Sequence, residues 1–240
     1  MSLRKRLLPT GLRRRLSLAL DRRHKLHFLH IGKTAGSQIG HLCESVNAAS
    51  KDWRFVKQHH RVRLADLPRG AAYVFGIRHP VSRFRSAFYS RKRKGQPRNY
   101  NEWSPEEARA FARFDHANDL AEALFEDSAD GRAALAAMLS IKHVSTRQTA
   151  WFEPHGTFLR SRPPLAILRQ EHLAADLAAL AARIGLDCPL TPTPDPVVAH
   201  HNDYRGAPEL SARAVDNVER WYAADIAFVG ACEAWIAAQR

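Results

Sequence analysis

The chain has 240 residues, of which 45% are hydrophobic, enough to bury one sizeable core. Its net charge is +13 with histidine counted as neutral, which favours an anionic partner: a nucleotide, a sulfated or carboxylated polymer, nucleic acid or an acidic membrane. The three cysteines lie far apart and form no CxxC pair, which argues against a disulfide framework and a zinc ribbon.

The first segment, residues 1–24, is strongly basic and is predicted to be an arm ahead of a single α/β domain at residues 25–240. Its apolar piece, Leu16 to Leu20, is too short for a signal peptide and lacks a small-residue cleavage site. No stretch approaches the roughly 20 apolar residues of a membrane span. We therefore expect a cytoplasmic protein whose arm is either a disordered tail or a peripheral contact with anionic lipid.

Three apolar runs, each followed by a helical pattern, repeat one order of elements along the chain. Residues 26–31 predict a buried strand, and a stripe at i, i+3, i+4 and i+7 from Ile39 predicts the next helix. Residues 71–80 are a second run, which ends in proline before another helical pattern. Residues 164–169 are a third, followed by a helix that ends at Gly185. Strands separated by helices predict an α/β fold with a parallel central sheet flanked by helices.

Two later segments predict helices, and one predicts a loop. Residues 105–140 are rich in alanine and follow Ser104, which with the next three residues supplies an N-cap and an acidic first turn. Residues 188–206 contain four prolines and predict an extended surface loop. Residues 211–240 predict an amphipathic helix that caps the domain.

The segment GKTAGS, residues 32–37, joins the first strand to its helix. Such a loop presents backbone N–H groups at the positive end of a helix, where they bind phosphate or sulfate. A Walker-type loop carries its lysine just before the helix, whereas here the lysine comes early, so an NTPase is disfavoured. The alternative is an ordinary turn with a stray lysine. The candidate anion ligands are Lys33 by its charge, Thr34 and Ser37 by their hydroxyls, and Ala35 and Gly36 by their small size.

A second loop, IRHPVSRFRSAF at residues 77–88, follows the second strand. It places Arg78 at the end of that strand and Ser86 about two turns into the next helix. These two residues are placed to grip a second phosphate at some distance from the first. Two separate anion sites predict a doubly phosphorylated nucleotide.

With both loops in view, residues 26–92 resemble the carbohydrate-type sulfotransferases that use 3′-phosphoadenosine 5′-phosphosulfate (PAPS). That family's 5′ loop reads roughly HIPKTAGT/S and its 3′ site roughly RxPxxRxxSxY; the chain has FLHIGKTAGSQIG and GIRHPVSRFRSAFYSR. The resemblance implies a P-loop nucleotide-kinase-like sulfotransferase fold. It also implies that residues 33–37 hold the 5′-phosphosulfate and that Arg78 and Ser86 hold the 3′-phosphate. Gly32 stands where the family usually has proline, and Phe88 replaces a frequent tyrosine.

Sulfuryl transfer to an alcohol needs a base, an in-line approach and positive charge at the leaving oxygen. Lys33 suits the leaving oxygen, and we expect no metal because the lysine, the arginine and the loop amides supply the positive field. The segment KQHHRVRLADL, residues 57–67, offers the base; if it is extended, only one of His59 and His60 faces the cleft. We choose His60 because the family's catalytic histidine precedes a leucine by four positions, as His60 precedes Leu64. His30, just before the first loop, either orients that loop or is a satisfied core histidine, and we favour the core position.

The predicted reaction is sulfuryl transfer from PAPS, giving PAP, to a hydroxyl-bearing acceptor; family analogy favours a saccharide or polysaccharide. The basic run at residues 91–98, with Arg83 and Arg85 before it, is either an acceptor groove or a solvated helix end. Trp151 and Phe152 fit buried packing better than stacking on a ligand. The alternatives are a kinase-like nucleotide phosphotransferase and a non-enzymatic polyanion-binding module. No specific nucleic acid is expected, since aromatic residues do not interleave the basic runs.

Overall fold

Four parallel strands form the central sheet of the computed structural model, which describes residues 16–97, 99–152, 157–195 and 203–239. The strands are β1, His24–Leu29; β2, Trp53–Lys57; β3, Ala72–Ile77; and β4, Ala166–Arg169. Their order across the sheet is β2-β1-β3-β4. Leu26 of β1 pairs with Phe55 on one side and with Ala72 on the other. The predicted α/β class with a parallel central sheet is confirmed.

Helices follow the strands and surround the sheet. They are α1, Gly36–Ala49; α2, Pro80–Lys92; α3, Pro105–Arg113; α4, Ala117–Glu122; α5, Ala129–Ser140; α6, Phe158–Ser161; α7, Leu173–Ile184; α8, Ala212–Trp221; and α9, Ala223–Ala237. The predicted caps are present: Ser104 accepts from the Glu107 N–H before α3, and Gly185 ends α7 in the left-handed conformation. The single helix expected at residues 211–240 is instead two helices, because the chain leaves helical geometry at buried Tyr222.

Alternating side chains along the strands build a core on each face of the sheet. On one face, Phe28 of β1 and Val74 of β3 pack with the apolar stripes of α1 and α7. On the other face, Leu29 and Phe75 pack against α9. Phe152 also lies in this second layer, with its ring stacked 4.3 Å from that of Phe158, so the predicted buried packing is confirmed. The sheet is therefore fixed from both sides, and its strand ends can carry a site.

Three residues of the basic run at 91–98, which begins in the last turn of α2, pair with acidic side chains. Arg91 is buried and makes a bidentate pair with Glu107, while Lys92 and Lys94 pair with Asp115 and Glu102. Glu107 in α3 and Asp115 just after it therefore hold this part of the run against α3 and the segment that follows. Buried Arg91 therefore does not face an acceptor, and the acceptor groove at this run stays a prediction.

The N-terminal arm falls mostly outside the described residues, which begin at residue 16. Residues 16–20 are helical, and Leu16 and Leu20 are exposed. Across the described ranges, no helix combines the length and the apolar character that crossing a membrane requires. The peripheral lipid contact of the arm stays a prediction.

Candidate functional site

The carboxyl ends of the adjacent parallel strands β1 and β3 open into one cleft of about 610 Å³. This edge of a parallel sheet is where α/β folds commonly bind ligands, and the volume lies within the roughly 300–1,000 Å³ of small-molecule sites. Both predicted loops reach it. Among the predicted site residues, the cleft is lined by Lys33, Ala35, Gly36, Ser37, His60, Arg78 and Ser86.

The first loop is held in an unusual backbone conformation. Lys33 has φ 69° and Ala35 has φ 65°, both in the left-handed region that costs a non-glycine residue about 1–3 kcal/mol. Ala35 is the N-cap of α1, yet it contributes no side-chain cap, and the first turn of α1 holds no acidic residue. The first N–H groups of α1 therefore have no acceptor from the N-cap side chain, and the residues that carry them, Gly36 and Ser37, line the cleft, which suits an anionic ligand.

Two glycines let this loop settle deeply against the sheet. A Cβ at Gly76 of β3 would lie 2.5 Å from the Thr34 carbonyl oxygen, and one at Gly36 would lie 1.9 Å from Nε2 of His30. Thr34 itself is fully buried, and its hydroxyl donates to the Ile31 carbonyl at 3.0 Å. The Thr34 hydroxyl thus closes the loop from beneath, and Thr34 is not among the residues that line the cleft; its role at the anion stays a prediction.

Arg83 supports the same loop from below. Its side chain is 1% exposed, and its Nε donates to the Gly32 carbonyl at 2.9 Å. Burial lowers the pKa of the guanidinium. Arg83 therefore cannot line the acceptor groove, which was one of the two interpretations of the basic residues. It acts instead as a buried cation beneath the anion loop. In the sequence, Arg83 is the second arginine of the RxPxxR pattern, and this pattern could have pointed to its role.

Arg78 is fixed at the end of β3 by a clamp that the sequence did not reveal. The Gln148 amide accepts from the Arg78 N–H at 3.1 Å and donates to the Arg78 carbonyl at 2.8 Å. Buried Asp225 of α9 in turn accepts from the Gln148 N–H at 2.8 Å. The Arg78 side chain is oriented by Ser82, whose hydroxyl accepts from Nε at 3.0 Å. The guanidinium is thus held in place before any ligand arrives.

One face of α2 lines the cleft next to Arg78. Ser86 and Ser90 lie one turn apart on this helix, and both border the cleft although they are only 4% and 5% exposed. Tyr204 also lines the cleft, and the Arg85 guanidinium lies 4.4 Å from the centre of its ring. Arg85 also pairs with Glu209, so it too is engaged within the fold.

The cleft is cationic. Burial lowers the pKa of Lys33 to about 7, and the positive charges of Arg78, Arg93 and Arg83 add to the effect. Of the described residues that line the cleft, none is an aspartate or a glutamate. A bound anion would supply the countercharge that this wall lacks, and it would favour the protonated form of Lys33.

His60 faces the cleft in a defined tautomer. Its Nδ1 lies 3.1 Å from the His30 carbonyl, and because a carbonyl can only accept, Nδ1 carries the proton and Nε2 is left as an acceptor. Burial lowers the pKa of His60, so the neutral base form prevails at neutral pH. Both histidines are exposed, but His59 does not belong to the cleft wall, although its ring lies 6.2 Å from that of His60. The geometry thus separates the two histidines that the sequence left adjacent.

The backbone around His60 differs from the expected extended segment. Strand β2 ends at Lys57, a turn closed by the Val62 N–H to the His59 carbonyl follows, and Leu64–Asp66 is a short 3₁₀ helix. The Arg63 N–H donates to the Asp66 carboxylate, which stabilises this turn over an extended conformation. His60 therefore reaches the cleft from a turn.

Two further histidines border the cleft. His30 packs its ring 3.6 Å from the His60 ring, and burial lowers the pKa of His30 to about 2, so this ring is neutral. It lines the cleft, which differs from the core position expected for it. His143 comes from the turn after α5, and no local sequence pattern pointed to it.

In the described part of the chain, no cluster of three or more histidine, cysteine or acidic side chains is arranged to hold a metal ion. Comparison of the chain with protein-family models, curated proteins and solved structures gave no match.

Proposed function

We propose that the protein is a PAPS-dependent sulfotransferase that acts on a hydroxyl group. The observation that carries the proposal is the convergence of two anion-binding loops, one after β1 and one after β3, on a single cleft with no acidic residue among its described lining. A molecule with phosphate at one end and phosphosulfate at the other matches this arrangement of charge. The finer fold assignment, a P-loop nucleotide-kinase-like sulfotransferase fold, is part of the same proposal.

In this proposal, the donor lies across the cleft with its 5′-phosphosulfate on the loop at residues 33–37. The open N–H groups of α1 and the Lys33 ammonium bind its oxygens. At the other end, Arg78 and Ser86 bind the 3′-phosphate. The clamp by Gln148 keeps Arg78 in place, so little side-chain ordering is left to occur on binding.

The transfer step uses Lys33 and His60 on opposite sides of the sulfur. The acceptor hydroxyl oxygen forms a bond to sulfur while the bond from sulfur to the 5′-phosphate oxygen breaks, and the electron pair stays on that phosphate. Nε2 of His60 takes the hydroxyl proton, and Lys33 stabilises the charge that develops on the leaving oxygen. The products are PAP and a sulfate ester. A saccharide hydroxyl is the acceptor that the family resemblance favours.

The two rival functions make different demands on the cleft. A phosphotransferase that uses magnesium commonly holds the ion with carboxylates, and the described lining includes no aspartate or glutamate. A polyanion-binding module needs an open basic surface, whereas Arg91, Lys92 and Lys94 of the basic run are paired internally. Both observations favour the sulfotransferase.

Calorimetric titration in EDTA tests this function directly. Adenosine 3′,5′-bisphosphate is expected to bind one site at least about tenfold more tightly than ATP, since only it presents phosphate to both loops. If ATP bound more tightly than the bisphosphate once magnesium replaced EDTA, this result would support the phosphotransferase. Weak binding of every polyanion with a steep salt dependence would support the polyanion module. Transfer of labelled sulfate from PAPS to a panel of glycans and small alcohols then identifies the acceptor.

A further inference from the structure

His143 occupies a strained position beside the cleft. It lies in the turn after α5 with φ 69°, a conformation that costs a non-glycine residue about 1–3 kcal/mol and that concentrates at functional sites. The turn is anchored on both sides, since Ile141 and Val144 are fully buried in the helical core. A glycine would fit the backbone without strain, so the presence of a histidine calls for a reason in its side chain.

The ring of His143 lies near both groups that the proposed reaction uses. Its Nδ1 is 2.8 Å from the point where a Cβ of Gly32 would stand, so the ring packs on the residue directly before Lys33. Its centroid is 6.0 Å from that of the His60 ring. All three side chains, Lys33, His60 and His143, border the same cleft.

The His143 ring is also chemically available. Within the ranges that the structure describes, it makes no hydrogen bond, and the side chain is half-buried with access to the cleft. Burial and the nearby Lys33 charge lower the pKa of His143 to about 3, so the ring is neutral and carries a single N–H. A neutral imidazole has one ring N–H, which can donate a hydrogen bond to an oxygen of the substrate.

We propose that His143 is a further catalytic residue, whose ring N–H donates a hydrogen bond to a non-bridging oxygen of the sulfuryl group during transfer. This inference rests on the proposed function. His143 keeps its proton throughout: the acceptor proton goes to His60, and the leaving electron pair goes to the 5′-phosphate oxygen next to Lys33. By analogy with phosphoryl transfer, charge spread over the non-bridging oxygens is best stabilised by a fixed donor in a cleft shielded from water.

The test compares His143→Gly with His143→Asn. Glycine accepts the positive φ, so His143→Gly should unfold at the same temperature as the wild type or higher, while kcat falls by about 10²–10³-fold, as for loss of an oxyanion donor. Affinity for adenosine 3′,5′-bisphosphate, which lacks the sulfuryl group, should stay unchanged. Asparagine tolerates the left-handed conformation and offers an N–H, so His143→Asn should recover part of the lost rate.

The outcomes separate this inference from the proposed function. Wild-type rates in His143→Gly, or a loss of activity matched by a loss of thermal stability, overturn the catalytic role. A wild-type protein that neither binds the bisphosphate nor transfers sulfate overturns the proposed function, and the role of His143 with it. The matched control is His59→Ala, which removes an imidazole next to the cleft but outside its wall and should keep full activity.

Discussion

Replacement of His60 by alanine lowers kcat for sulfuryl transfer by about 10²–10⁴-fold, the usual contribution of a positioned general base. Only the proton acceptor is removed, because the phosphate ligands belong to the loops after β1 and β3. Calorimetry on the same variant should therefore give an affinity for adenosine 3′,5′-bisphosphate close to that of the wild type. Single-turnover transfer of labelled sulfate measures the rate.

The control for this prediction lies one residue away. His59 is exposed and accepts from the Arg61 N–H, while His60 alone of the pair borders the cleft. His59→Ala should thus transfer sulfate at the wild-type rate. Full activity in His60→Ala together with inactivity in His59→Ala would show that the base has been assigned to the wrong histidine.

Replacement of Lys33 by methionine lowers both the rate and the affinity. Methionine keeps the unbranched shape of the lysine stem but lacks the charge beside the leaving oxygen, so kcat should fall by about 10²–10³-fold. The lost charge also weakens binding of the 5′-phosphate, because charge-assisted hydrogen bonds contribute about 1.5–3 kcal/mol. Steady-state kinetics and calorimetry on Lys33→Met measure the two effects.

The ionisation of Lys33 gives the same prediction a pH signature. Its pKa is lowered to about 7 in the empty cleft, so at pH 8 the amine is mostly neutral, and a bound phosphate raises that pKa. Binding at pH 8 should therefore take up roughly one proton, and affinity should fall as pH rises through the window between the free and bound pKa values. Calorimetry in buffers of different ionisation enthalpy measures this uptake. Lys33→Arg keeps a permanent charge and should abolish the uptake, and an unchanged uptake in that variant would contradict the assignment.

Much of the fold could be predicted because its signals are local. The strands β1, β3 and β4 are apolar runs followed by helical patterns, and Ser104 and Gly185 mark helix ends by their own chemistry. Strand β2 escaped prediction because Trp53–Lys57 is short and carries charged residues at two of its five positions. As an edge strand it needs apolar contacts on only part of its surface.

The residues of the candidate site likewise fall into those that local sequence predicts and those that it does not. The loops with Lys33 and Arg78 could be found because each follows a strand directly and has a compact motif. Gln148 and His143 could not, because Gln148 meets Arg78 across 70 residues and His143 reaches Gly32 from a turn of irregular sequence. Only the fold brings these side chains together.

The direction in which a side chain points was the second feature that the sequence could not predict. The Thr34 hydroxyl sits in a motif rich in anion ligands, yet the tight approach of the loop to Gly76 turns it toward the Ile31 carbonyl. Arg91 appears in a run of solvated charge, yet Glu107 draws it into the core. Spacing in the sequence identifies the loop, but the packing around each residue decides whether its side chain meets the ligand.

The central claim is that one nucleotide bridges the two loops. It is tested most directly by measuring the binding of two ligands to the wild type and to one variant. Calorimetry should compare adenosine 3′,5′-bisphosphate with adenosine 5′-monophosphate on the wild type and on Arg78→Gln. We expect Arg78→Gln to weaken binding of the bisphosphate by about 10- to 100-fold and to leave binding of the monophosphate unchanged, because only the 3′-phosphate meets Arg78. Equal weakening of both ligands, or a wild type that binds them equally, would contradict the claim.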